Sequence, residues 1–189
     1  MATLEEALLL DIPEIIETPR LQLRATRAGA GATINEAFVE SHSQLAPWMP
    51  WAKAAMTPQD SERHCREMQA KWFARRELDF CFHRKPDGSF VGKGGLHTID
   101  WSIPKVEIGY WIRTSCSRQG YATEAARAMV DLAAARLGAR RVEITSDARN
   151  LPSRRVAEKC GFTLEGIQRS SRRDNTGELA DSCMYSRTL

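Results

Sequence analysis

The chain has 189 residues, 42% hydrophobic and 27% charged, with a net charge of +3. That length suits one compact domain with a sizeable core, and so mild a positive excess favours an anionic small molecule over a nucleic-acid partner. Its five cysteines, Cys65, Cys81, Cys116, Cys160 and Cys183, are widely spaced without a C-x-x-C pair, which argues against structural zinc and for a reduced, cytoplasmic chain.

Residues 1–17 lack a basic leader, and their short apolar run ends at Asp11 and Pro13. Neither signal peptide nor membrane span fits. An N-terminal extension, packed on the domain of residues 18–189 or on a partner, is expected. Leu21, Leu23 and Ala25 then alternate with Arg20, Gln22 and Arg24, the period of a strand with one wet face. A helix is expected from about Ala32. Next, LAPWMPW at 45–51 holds two prolines, whose missing donors and restricted predecessors predict a stiff aromatic loop. Its tryptophans either pin it to the core or wall an acceptor site.

Thr57, Pro58 and Asp60 form a helix start, with Cys65, Met68 and Trp72 on one face. Leu78, Phe80 and Phe82 read as a strand, KPDGS at 85–89 as a tight turn, and Phe90 to Ile99 as a hairpin partner interrupted by Gly92, Gly94 and Gly95.

The chain is organised around VEIGYWIRTSCSRQGYATE at 106–124. Val106, Ile108, Tyr110 and Ile112 alternate with Glu107, Gly109, Trp111 and Arg113 as in a two-faced strand. The polar stretch Thr114 to Gly120 breaks that period, and apolar positions from Ala122 to Leu137 take up helical spacing. A helix start offers unpaired amides and partial positive charge, Gly120 permits close approach, and Arg118 adds a guanidinium. This is either a phosphate-binding turn or an ordinary connection. No Walker-type lysine and no G-x-G-x-x-G follow.

Beyond it, Gly138 caps the helix. Arg141 to Ser146 alternates as a strand, and Asn150 to Ser153 opens a short helix closed by Gly161. Phe162 to Ile167 and Cys183 to Arg187 are two last strands around the polar hairpin at 174–178. Hairpins and crossovers together predict an α/β mixture of the α+β type.

The turn Ser117-Arg118-Gln119-Gly120-Tyr121-Ala122 resembles the acetyl-CoA signature of the GNAT N-acetyltransferases, Gln/Arg-x-x-Gly-x-Gly/Ala, with Ser117 in place of Gln or Arg. YATEA, TPRLQLR, LAPWMPW and DARNLPSRRVAEKCGF at 147–162 resemble the RimJ/RimL branch of that family, so the likeness covers about residues 18–187. It implies a GNAT fold, a mixed and mostly antiparallel sheet with helices on both faces, and acetyl-CoA as cofactor. Implied cofactor contacts are Trp111, Ile112, Arg113, Ser117, Arg118, Gln119, Gly120, Tyr121, Ala122, Thr123, Asn150 and Ser153, without a metal. The residues alone also allow Asn150 and Ser153 to be simple helix-start residues.

Amide formation from a thioester needs a neutral amine, a stabilised oxyanion and a proton for the thiolate. Ser153 is the expected donor toward sulfur. Glu107 is the expected base, acting through one water, or else a solvated strand residue. The oxyanion is expected to meet main-chain amides where this strand splays from its neighbour, with Gly109 compatible with a bulge. Cys116 as a nucleophile and His97 as a base rank lower. Arg154 or Arg155 is a candidate for the 3′-phosphate of CoA. The implied acceptor is an N-terminal α-amine of a protein or peptide. The alternatives are a polyamine, amino-acid or antibiotic amine, or a non-catalytic CoA-binding module, in a monomer or homodimer that binds neither membrane nor nucleic acid.

Overall fold

The computed structural model describes residues 4–189. Its elements are α1 (Leu4–Leu8), β1 (Ile15–Glu17), β2 (Leu21–Ala25), α2 (Gly31–Leu45), α3 (Pro58–Phe73), β3 (Leu78–Arg84), β4 (Phe90–Asp100), β5 (Lys105–Ile112), α4 (Tyr121–Leu137), β6 (Arg141–Asp147), α5 (Leu151–Lys159), β7 (Thr163–Arg173) and β8 (Leu179–Thr188). Eight strands form one sheet in the order β1-β2-β3-β4-β5-β6-β8-β7. All neighbours pair antiparallel except β5 and β6, which are joined by the α4 crossover and run parallel.

The expected extension is part of this body. Ala7 and Ile12 are buried, the Arg75 guanidinium donates to the carbonyls of Ala7 and Leu10, and Ile15 to Glu17 pairs with β2. The sheet therefore begins before residue 18. Residues 1–3 of the extension lie outside the described residues.

Helices cover both sheet faces. On one, the buried side chains of Leu23, Phe80, Phe82 and Ile108 pack with Ala125, Met129 and Ala133 of α4. On the other, Trp111, Cys81 and Phe90 pack with Ile34 and Phe38 of α2 and Cys65 of α3. The start of α3 is fixed by a capping box, in which Thr57 and Asp60 each accept the other's amide.

Two expectations about glycine are corrected. Gly92, Gly94 and Gly95 do not interrupt β4. A Cβ there would stand 2.4 to 2.5 Å from the carbonyl oxygens of Trp111, Gly109 and Leu78, so these residues let neighbouring strands approach. Gly109 marks no bulge either, since β4 and β5 keep register from Gly92↔Ile112 to His97↔Glu107 and shift only between His97 and Asp100.

What positions the site is a gap in the sheet. β5 and β6 pair only at Lys105↔Arg141, Val106↔Val142 and Glu107↔Glu143. Beyond Glu107 the two strands part. The Arg113 amide donates to Val91 at 2.9 Å. By the alternation of a strand, main-chain groups of Ile108, Tyr110 and Ile112 face away from β4, into that gap.

Candidate active site

A cavity of about 850 Å³ runs through the gap. Its lining includes Tyr110, Ile144, Asn150 and Ser153 at the splay, and Glu107, His97 and Trp51 on the α2 side. β5, which supplies Glu107 to Trp111 to that lining, runs on into the turn before α4. Arg118 has φ +61 and Gly120 has φ +83, left-handed backbone of the kind in which successive amides converge on an anion. Among the described residues, nothing accepts a hydrogen bond from the amides of residues 118–123, and the Arg118 guanidinium is likewise unpaired. These donors, with the positive end of a 17-residue helix, suit a diphosphate.

The turn is braced from both sides. On β2's flank, Arg20 donates through Nε to Glu124 at 2.7 Å and through Nη1 to the Gln119 carbonyl at 2.9 Å, and it stacks over the buried Tyr121 ring at 4.7 Å. On α2's flank, Glu40 accepts the Ser115 amide at 2.8 Å and pairs with Arg113, which also reaches Glu36. The Ser115 amide is the main cause holding the Glu40 carboxyl below the usual range.

Of the residues expected at the cofactor, Trp111 and Arg113 turn their side chains away from the α4 turn. Trp111 is buried against Trp51 and Phe90, and Arg113 is held by α2 carboxylates. Their main chains, with Ile112, reach the turn. Ser117 and Gln119 lie in it, and Tyr121, Ala122 and Thr123 form the first turn of α4. The side chain of Asn150 caps α5 by accepting the Ser153 amide at 3.2 Å, and it also lines the cavity. Arg154 is held by the Tyr185 hydroxyl and the Ala148 carbonyl, which leaves the exposed, unpaired Arg155 as the guanidinium available there. Among the described residues, the partly exposed Cys116 thiol has only the Ser115 hydroxyl within hydrogen-bonding reach, at 4.0 Å.

At the splay, the Tyr110 hydroxyl lies 3.3 Å from both Ser153 Oγ and the Ser153 carbonyl. Burial pushes the Tyr110 phenol up to about 12, so it stays a donor across the neutral range. On the far side, the half-buried Glu107 carboxylate has no hydrogen-bond or ion-pair partner among the described residues. Deeper in that half, buried Lys93 pairs with Asp79 and lies 3.1 Å from His64 Nε2. Burial, then the Lys93 charge, lowers the His64 imidazole. Arg172 from β7 lines the cavity while paired with the buried Asp147. The loop at 45–51 packs its half-exposed Trp51 on the domain and lines the cavity. Trp51 stacks on Phe38 and Trp111, and Trp48, Met49 and Pro50 line the cavity beside it.

Tyr110, Arg20, Glu124 and Glu40 were not singled out by sequence reasoning. Only Tyr110 carried a signal, its place on the strand that feeds the turn.

The acetyltransferase (GNAT) domain model matches residues 20–163. The chain belongs to the GNAT acetyltransferase family. It is 40% identical over 83 residues to YdaF of Bacillus subtilis, a match spanning 44% of this chain and 45% of YdaF. To the probable N-acetyltransferase YjcK of the same organism it is 32% identical over 138 residues, 72% of this chain and 74% of YjcK. Among solved structures, RimL, the ribosomal L7/L12 alpha-N-protein acetyltransferase in complex with coenzyme A, superposes with a TM-score of 0.88 at 22% identity, covering 93% of this chain and 98% of RimL. That likeness bears out the expected GNAT fold. The family's acetyl donor is acetyl-CoA, and this chain's residues fit it: the unpaired amides of 118–123 and Arg118 could hold a diphosphate, and Ser153 lines the gap between β5 and β6.

Proposed function

We propose that this GNAT N-acetyltransferase transfers acetyl from acetyl-CoA directly to an N-terminal α-amine of a protein or peptide, in the cytoplasm. The observation that carries the reading is the cavity that crosses the sheet where β5 leaves β6. The unpaired amides of 118–123 follow directly after β5, and the unpaired Glu107 carboxylate lines the cavity on the α2 side.

Bound acetyl-CoA supplies an activated carbonyl with a thiolate leaving group. The chain's own groups do the rest. The amides of 118–123 and Arg118 grip the diphosphate, while Asn150 fixes the start of α5 and so the place of Ser153. Main-chain amides of β5 that face the gap stabilise charge developing on the carbonyl oxygen. Ser153, backed by Tyr110, gives a hydrogen bond to the departing sulfur. Glu107 draws in the ammonium and is the final destination of its proton, which reaches it indirectly.

The α-amine reading follows from proton energetics. An α-amino group with pKa about 7.7–8.0 is roughly 10% neutral at pH 7, whereas a lysine amine at about 10.4 is roughly 0.04% neutral. A carboxylate working at one remove suffices for the first only. RimL, a structural neighbour, is named for acting on an α-amine. A cavity of about 850 Å³ also admits a small-molecule amine. Thiol release from acetyl-CoA with N-terminal peptides, polyamines, amino acids and aminoglycosides tests the reading. Turnover with peptides supports it, turnover with small amines alone replaces the acceptor, and no turnover with CoA bound leaves a binding module.

A further inference from the structure

We infer that His97 is the catalytic intermediary between the acceptor amine and Glu107, an assignment that rests on the acetyl-transfer reading above. Three features aim its imidazole. His97 is the register partner of Glu107 across β4 and β5, so both side chains stand on the cavity face of the sheet. The next residue, Thr98, has φ +50 at the register shift between His97 and Asp100. A β-branched residue is costly in left-handed backbone, and such strain persists where it sets a side chain's direction. The Thr98 hydroxyl then lies 3.0 Å from His97 Nδ1.

Across the strand pair, His97 Nε2 sits 3.0 Å from where a Cβ on residue 109 would be. Gly109 thus clears the space that the ring fills, over the middle of β5 and beside the gap that Tyr110 and Ser153 also line. This, rather than a bulge, is what glycine provides at 109. Among the described residues Nε2 has no partner. In the tautomer whose Nδ1–H donates to the Thr98 oxygen, the free lone pair is at Nε2, turned into the cavity.

The transfer balances without a further reactant. An N–H bond of the acceptor ammonium breaks and an Nε2–H bond forms, leaving the electron pair on the amine nitrogen for attack on the carbonyl. The imidazolium then passes its proton through water to the Glu107 carboxylate, which releases it to solvent. Thr98 is a positioning residue, because it acts only through the ring.

The test compares wild type with His97→Gln, which keeps a hydrogen-bonding side chain but cannot carry a proton, and His97→Ala, each confirmed folded by unchanged CoA affinity. The expected result is a kcat loss of about 100-fold in both, little change in acetyl-CoA KM, and partial recovery of the alanine variant by added imidazole. Thr98→Val, which leaves the imidazole in place, lowers kcat several-fold and serves if the His97 variants do not fold. Activity of His97→Gln or of Thr98→Val within about threefold of wild type overturns the assignment and leaves the acetyl-transfer reading standing. Wild type inert toward every amine sinks both.

Discussion

Arg20 and Glu124 lie 104 residues apart in sequence, and their side chains meet at 2.7 Å beside the turn into α4. Glu124 also accepts from the Arg20 amide and the Thr18 hydroxyl. Burial alone would raise its carboxyl, and these three donors outweigh it and hold the group low. The pair ties the first turn of α4 to the entry of β2, so the amides beside it are held before any ligand arrives. Arg20→Ala should weaken CoA binding a few-fold, the ~0.2–1 kcal/mol expected of a half-exposed pair, while kcat at saturating acetyl-CoA stays near wild type. Calorimetric titration against steady-state kinetics separates the two.

Gly120 has no room for compromise in its backbone. With φ +83, any other residue carries about 1–2 kcal/mol of strain, and a Cβ would sit 3.4 Å from Arg20 Nη2. Arg118→Ala with Gly120→Glu should abolish CoA binding, since a carboxylate then occupies the diphosphate's place, with the far-ultraviolet circular dichroism unchanged. Retained affinity would count against the turn.

The hydroxyl pair at the splay makes a pH prediction. Tyr110 titrates at about 12 in the folded chain because it is buried, against about 10 when unfolded. Its raised value means the stability it contributes is whole below pH 10 and is lost as pH climbs toward 12. Urea midpoints should therefore fall over that window, and Tyr110→Phe should fall less steeply. Ser153→Ala should cut kcat at least about tenfold, the order of a lost acid–base contact, with CoA affinity close to wild type.

Much of this was legible in the chain. The change from period 2 to helical spacing at Thr114–Gly120 located the turn, and Thr57 to Asp60 located α3's cap. β7 was longer than expected, Thr163–Arg173 against a strand ending at Ile167, because it is solvent-exposed along nearly its whole length. Such a strand shows no alternation to read. Gly92, Gly94 and Gly95 were misread for a different reason: close strand contact and strand interruption select the same residue. Arg20 with Glu124, and Glu40 with Arg113, were invisible because the partners lie 104 and 73 residues apart, and none of the four carries a local pattern.

Lys93 and Asp79 form an ion pair whose lysine side chain is 5% exposed, with Thr26 also donating to Asp79 at 2.5 Å. Lys93→Met strands the carboxylate and should cost about 3–5 kcal/mol. Adding Asp79→Asn should restore most of it, as read from paired denaturation curves.

A crystal structure with coenzyme A bound tests the central claim most directly. The account places the diphosphate on the amides of 118–123 and the sulfur beside Ser153 Oγ, within the gap between β5 and β6. A diphosphate seated elsewhere, with those amides turned to the protein's own acceptors, would contradict it.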